Sequence, residues 1–286
     1  MPDPQILTIT VLGVVLVPPV TYVLALRARI SAAGRLAAIR DRLVDMRAGL
    51  DRSITPVGAF VVLASTVLTV VTGVMYALGR VVPHLQPLDW VVFRWIAAHQ
   101  TDGFTAVMSV VTQMGNKYQC WIVSAVMVVV FALVAPRRRW VGLLVLGAMI
   151  VLQHYQQVGI ADVIQRGHPP DSGGTFPSGA SARIAAIYGT GLFLILRALG
   201  VSRRVWAGAW ALVAVLMFVE GWSRVYLNAH WVSDVPPGWV NGVLMLLGFV
   251  FASWNLVPVR SRRPPGGVRA APSGGRAGRS ATARRR

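Results

Sequence analysis

VGAFVVLASTVLTVVTGVMYALG, residues 57–79, decides the fold. The stretch carries no charge, does not alternate apolar with polar residues, and is about twice as long as a membrane β-strand. In lipid its backbone can satisfy its own hydrogen bonds only as a helix. Six further blocks of similar length and polarity accompany it, at about 6–26, 117–135, 140–160, 180–198, 205–222 and 235–254. The whole chain is correspondingly apolar: 55% of its 286 residues are hydrophobic and 13% charged, with a mean hydropathy of +0.59. That balance excludes a soluble domain with a hydrated surface. The expected fold is an all-α polytopic membrane helix bundle, with Pro18 and Pro19 kinking the first span. The first block lacks a basic leader and a clear small-residue cleavage site, so it reads as a retained span.

The formal net charge of +18 does not mark a nucleic-acid surface, because the basic residues sit between apolar blocks instead of on one folded face. Twenty-two of the twenty-eight basic residues fall at 27–52, 137–139, 197–204 and 260–286, all on one side if seven spans alternate. Short cytoplasmic loops carry excess Lys and Arg, so that side is expected to be cytoplasmic and the loop 161–179 and turn 223–234 outside. Segment 27–55 reads either as an amphipathic helix on the inner leaflet or as a solvated linker helix. The Gly-, Pro- and Arg-rich tail 255–286 reads as disordered, with loose attraction to anionic lipid. Lys117 is the only lysine, a usage associated with GC-rich bacterial genomes; the expected location is a bacterial cytoplasmic membrane. Cys120, the single cysteine, can form no internal disulfide.

Two polar clusters fall at helix ends on the outer side, where charged groups near lipid mark function by default. In SRVYLNAHWVSD, residues 223–234, Ser223, Arg224, His230 and Asp234 come together. A helix there would put His230 and Asp234 on one face, so that Asp234 holds one imidazole nitrogen and frees the other as a nucleophile toward phosphorus. Pro236 and Pro237 favour a later helix start and would leave His230 in a turn. Arg224 would grip a phosphoryl group with two parallel hydrogen bonds. In FPSGASAR, residues 176–183, Ser178 and Gly179 would offer a hydroxyl and free N–H groups at the start of a helix, an anion site. An N-cap serine and an interfacial His–Asp pair can each be merely structural; their shared membrane face favours the functional reading.

These stretches, with QRGHPP at 165–170 before them, resemble the three signature segments of the type 2 phosphatidic acid phosphatase superfamily, membrane lipid phosphatases related to haloperoxidases. The family pattern is Lys-x6-Arg-Pro, then Pro-Ser-Gly-His, then Ser-Arg-x5-His-x3-Asp. The third segment matches fully through Ser223, Arg224, His230 and Asp234. The resemblance covers about 57–254 and implies a six-helix core, leaving 1–56 as an extra N-terminal helix with a basic linker. It also implies catalysis without a metal or other cofactor, through a transiently phosphorylated histidine. Ala161 stands where the family has lysine, His168 where it has a phosphate-binding arginine, and Ala180 where it has the histidine that protonates the leaving alcohol.

Substitutes lie nearby: Arg166 and Arg183 could supply phosphate-binding charge and His168 the proton, or the two arginines could simply snorkel to headgroups. Glu220, four residues before Arg224, is expected to pair with it. His84, His99 and His154 show no metal-ligand spacing, so no metal is expected. The leading expectation is a phosphatase acting on a lipid phosphate or lipid diphosphate from the outer face of the bilayer. Its alternatives are a catalytically degenerate relative that binds lipid phosphate or a membrane partner, and a headgroup transferase. Oligomeric state is not legible.

Overall fold

The computed structural model describes residues 3–27 and 35–257. Among the described residues there are nine helices: α1 (Pro4–Arg27), α2 (Arg35–Val81), α3 (Gln86–His99), α4 (Asp102–Val111), α5 (Lys117–Val134), α6 (Arg139–Ile164), α7 (Gly179–Leu199), α8 (Arg203–Tyr226) and α9 (Val235–Ser253). Among the described residues there is no strand. Seven helical stretches are long and apolar enough to cross a membrane, and each of the seven expected blocks corresponds to one of them. The chain is an integral membrane helix bundle. The expected tail from Pro258 onward lies outside the described residues.

The first half of the chain also holds a helix break that the spans do not announce. α1 runs on through Pro18 and Pro19, whereas α2 breaks at Ile54 (φ −137°, ψ 19°) and Thr55 (φ 71°, ψ 153°). The residue before a proline is pushed out of the helical region, and Pro56 follows Thr55 directly. The break turns the first part of α2 onto the end of α9. There the Arg47 guanidinium, 4% exposed, donates to the Phe251 carbonyl and pairs with Asp51 at 3.5 Å. Nearby, Arg197 donates to the Trp254 carbonyl at 3.1 Å and stacks 3.8 Å over its ring. Cations at a helix C-terminus satisfy open carbonyls and oppose the helix dipole. Within the segment expected as a leaflet helix or a solvated linker, the residues from Arg35 to the break at Ile54 form a helix that docks on the end of α9 through Arg47.

α7 is the central helix, with 67% of its span buried. Its small residues let neighbours approach, which drives helix association where lipid removes any hydrophobic incentive. A Cβ on Gly242 of α9 would lie 2.4 Å from the Ala182 carbonyl, so only glycine permits this contact. α1 is the opposite case, with 6% of its span buried and Leu12, Val15, Leu16 and Leu24 exposed. It lies along α8, where Trp222 Nε1 donates to Thr10 Oγ1 at 2.7 Å. The end of the bundle opposite the docked arginines collects the ends of α3, α4, α6 and α8 and the starts of α5, α7 and α9, and with them both polar clusters.

Candidate active site

The turn between α8 and α9 sets the geometry. After Tyr226 the chain leaves the helix, Asn228 takes φ 52°, and Ala229 N–H donates back to the Arg224 carbonyl at 2.9 Å. A 3-10 turn at Val232–Asp234 leads into α9, whose first turn holds Pro236 and Pro237. Proline suits this position because its missing N–H would have no helical partner. His230 therefore lies in a turn, as the two prolines imply, and the pairing with Asp234 comes from loop geometry rather than from a helix face. His230 Nδ1 is buried, makes no hydrogen bond, and sits 3.6 Å from Asp234 Oδ2.

Asp234 is 1% exposed and fully engaged. Its Oδ2 accepts from Trp231 N–H at 3.2 Å, and its Oδ1 pairs with Arg166. Arg166, 4% exposed, follows Gln165, whose left-handed conformation (φ 49°) ends α6. Through Nη2 it also pairs with Asp89 and donates to Ser233 Oγ at 2.9 Å. The expected phosphate ligand is instead committed to two buried carboxylates, because a buried guanidinium must be paired.

His230 and Arg224 stand in the wall of one open cleft of about 500 Å³, together with Gln100, Asp171, Gly174 and Asn228. The Arg224 Nε donates to Glu220 Oε1 at 2.9 Å, which realises the expected pair, and Nη2 donates to the Thr112 carbonyl at 2.7 Å. Those bonds use two of the five guanidinium donors, and the Nη1 hydrogens and the second Nη2 hydrogen are left for the two-bond grip expected of Arg224. Gly174 closes the opposite wall: a Cβ there would lie 2.0 Å from the Ala229 carbonyl and 2.9 Å from His230 Nδ1.

The second cluster braces this wall from inside. Ser178 precedes α7, is fully buried, and meets Ser181 Oγ at 3.0 Å with its own hydroxyl. A Cβ on Gly179 would meet the Gln157 side chain at 2.1 Å. Arg183 donates to the Gly115 carbonyl at 2.8 Å and to Gln157 Oε1 at 3.1 Å. Ser223 is buried and donates to the Glu220 carbonyl at 2.7 Å, which spends its hydroxyl inside α8. His168 is exposed, with Nδ1 3.0 Å from the Pro169 carbonyl, and does not line the cleft. Of the nine side chains expected at the site, the cleft wall holds His230 and Arg224; Asp234 stands directly behind His230. Arg166, Ser178, Gly179, Arg183 and Ser223 form the support around them.

Asp89 is the group that sequence reading missed. It is 1% exposed on α3, and accepts from Ser233 N–H at 3.0 Å and Ser233 Oγ at 2.8 Å in addition to its pair with Arg166. Its signal was a lone carboxylate in the apolar run QPLDWVVF. Among the described residues no group of three or more His, Cys, Asp or Glu side chains converges as metal ligands would.

Residues 151–258, a stretch containing both clusters, match the PAP2 superfamily. In fold, the chain is similar to the crystal structure described as the first transmembrane PAP2 type phosphatidylglycerolphosphate phosphatase from Bacillus subtilis. That likeness has a TM-score of 0.57 at 20% identity and covers 66% of this chain and 95% of the other. No curated protein matches the chain. The family match thus lies over the segment that builds the cleft, and the membrane helix bundle is the fold shared with that structure.

Proposed function

We propose that the chain is a lipid-phosphate phosphatase, removing a phosphoryl group from a lipid phosphomonoester or diphosphate at the outer face of the membrane. The observation that carries the reading is His230 in the wall of the cleft beside Arg224, with Asp234 Oδ2 3.6 Å behind its buried Nδ1. Asp234 holds the Nδ1 edge, so the opposite edge of the ring, with Nε2, serves as nucleophile. Nε2 forms a bond to phosphorus as the bond from phosphorus to the leaving oxygen of the lipid breaks, and that oxygen takes a proton from water entering the open cleft, a proton returned when the phosphohistidine is hydrolysed. Arg224 Nη1 offsets charge on the phosphoryl oxygens. Water then attacks the phosphohistidine, releasing inorganic phosphate and restoring the imidazole.

The outward placement is supported by the arginine-rich loops, which gather at the end of the bundle away from the cleft. Residues 57–254 would form the phosphatase unit, with α1 added at its edge. The test is phosphate release by purified protein from a panel of prenyl and glycerolipid phosphates. His230→Ala is expected to abolish release, and unchanged release would remove the nucleophile.

A second reading, a relative that binds lipid phosphate without turnover, is favoured by one observation. Arg166 and Arg183, the nearest substitutes for the family's phosphate-binding side chains, spend their donors on the protein itself. Headgroup binding by wild type with no phosphate released from any lipid in the panel would select it.

A further inference from the structure

The four groups behind His230 form one connected assembly drawn from three parts of the chain: Asp89 on α3, Arg166 after α6, and Ser233 and Asp234 before α9. One carboxylate would suffice to neutralise Arg166. The second is costly to bury unless it is bound, and Asp89 is bound, by the Ser233 N–H and hydroxyl as well as by the guanidinium. With Arg166 positive and both carboxylates ionised, the assembly carries a formal charge of minus one. It presents that charge to His230 Nδ1, a buried nitrogen without a hydrogen-bond partner. Its two routes to Asp234 are distinct: through Arg166 to Oδ1, and through Ser233 to the neighbouring backbone.

We propose that Asp89 is a positioning residue for the reaction: it holds Arg166 and Ser233 so that they present Asp234 Oδ2 to the His230 imidazole. The inference rests on the phosphohistidine reading above. As imidazole attacks phosphorus its ring gains positive charge, and the net negative assembly behind it stabilises that charge more in the transition state than in the ground state. Asp89 touches neither substrate nor the reacting nitrogen, so its removal acts on turnover and leaves substrate binding to the cleft.

The experiment compares kcat and KM for wild type, Asp89→Asn, Asp234→Asn, the Asp89→Asn/Asp234→Asn double variant, Ser233→Ala and His230→Ala. All are purified in detergent and assayed on one lipid phosphate that the wild type hydrolyses. Asp89→Asn keeps the shape and removes the charge. It is expected to lower kcat about tenfold or more with KM within about twofold. Because Asp89 acts through Asp234, the double variant is expected to fall no more than about threefold below Asp234→Asn alone, whereas independent effects would multiply. Ser233→Ala, which leaves both charges in place, is expected to cost a few-fold in kcat and serves if Asp89→Asn fails to fold. Full kcat in Asp89→Asn, a loss confined to KM, or losses that multiply in the double variant would overturn the proposal while an inactive His230→Ala leaves the phosphohistidine reading standing. Full activity in His230→Ala would remove that reading and the proposal together.

Discussion

The Ser178 backbone N–H donates to the Asp234 carbonyl at 3.1 Å, joining the residue that precedes α7 to the residue that precedes α9. This bond ties the two polar clusters together at their helix starts. The two starts are held that close by Gly238, where a Cβ would lie 2.5 Å from the Ser178 carbonyl. Gly238→Ala must therefore push backbone against backbone. It is expected to cost about 1–3 kcal/mol of stability, in the range of overpacked cores, and to lower activity in the same variant. Thermal unfolding and phosphate release, measured together, check this; a variant as stable and as active as wild type would contradict the contact.

Arg166 stands between two buried carboxylates, so its loss leaves both without their cation. Arg166→Gln is expected to destabilise the protein by about 3–5 kcal/mol, the usual result of breaking a buried ion pair by one partner. Arg166→Lys should rescue only part of this, since a single ammonium cannot span Asp89 and Asp234 as the guanidinium fork does. Unfolding temperatures in one detergent decide the matter.

On the proposed reading, Asp234 orients His230 without touching the substrate. Asp234→Asn keeps the acceptor for Trp231 N–H but removes the charge behind the imidazole. By the logic of an orienting carboxylate in a catalytic triad, kcat should drop by about 10²-fold or more while the protein still binds its lipid. A loss seen only in KM would assign Asp234 to binding.

Ala180 is 3% exposed and brings no proton to the cleft, and the His168 ring is exposed in the loop between α6 and α7. A leaving alkoxide needs a proton more than a leaving phosphate does, and loss of a general acid costs about 10²–10⁴ in rate. A lipid diphosphate is therefore expected to turn over faster than the matching monophosphate, and His168→Ala to change the diphosphate rate less than about threefold. Equal rates on both substrates, together with a large loss in His168→Ala, would return the acid role to His168.

The spans were legible because bilayer thickness acts on each segment separately: a charge-free run such as 57–79 must be a helix whatever it packs against. The late start of α9 was legible for a similar reason, since Pro236 and Pro237 restrict their own backbone and that of the residue before them. Thr55 obeys the same local rule, and the break before Pro56 could have been read from it. His230, Arg224 and Asp234 could be picked out from spacing alone, but what each one holds could not. Whether Arg166 faces a ligand or a carboxylate depends on where α3 brings Asp89, more than seventy residues away in sequence. Sequence by itself determined a membrane helix bundle and the residues at the turn before α9, because length, charge and proline act locally. Tertiary structure alone decided which arginine meets the cleft and which is spent on Asp89 and Asp234, because a buried charge takes whatever partner helix packing delivers.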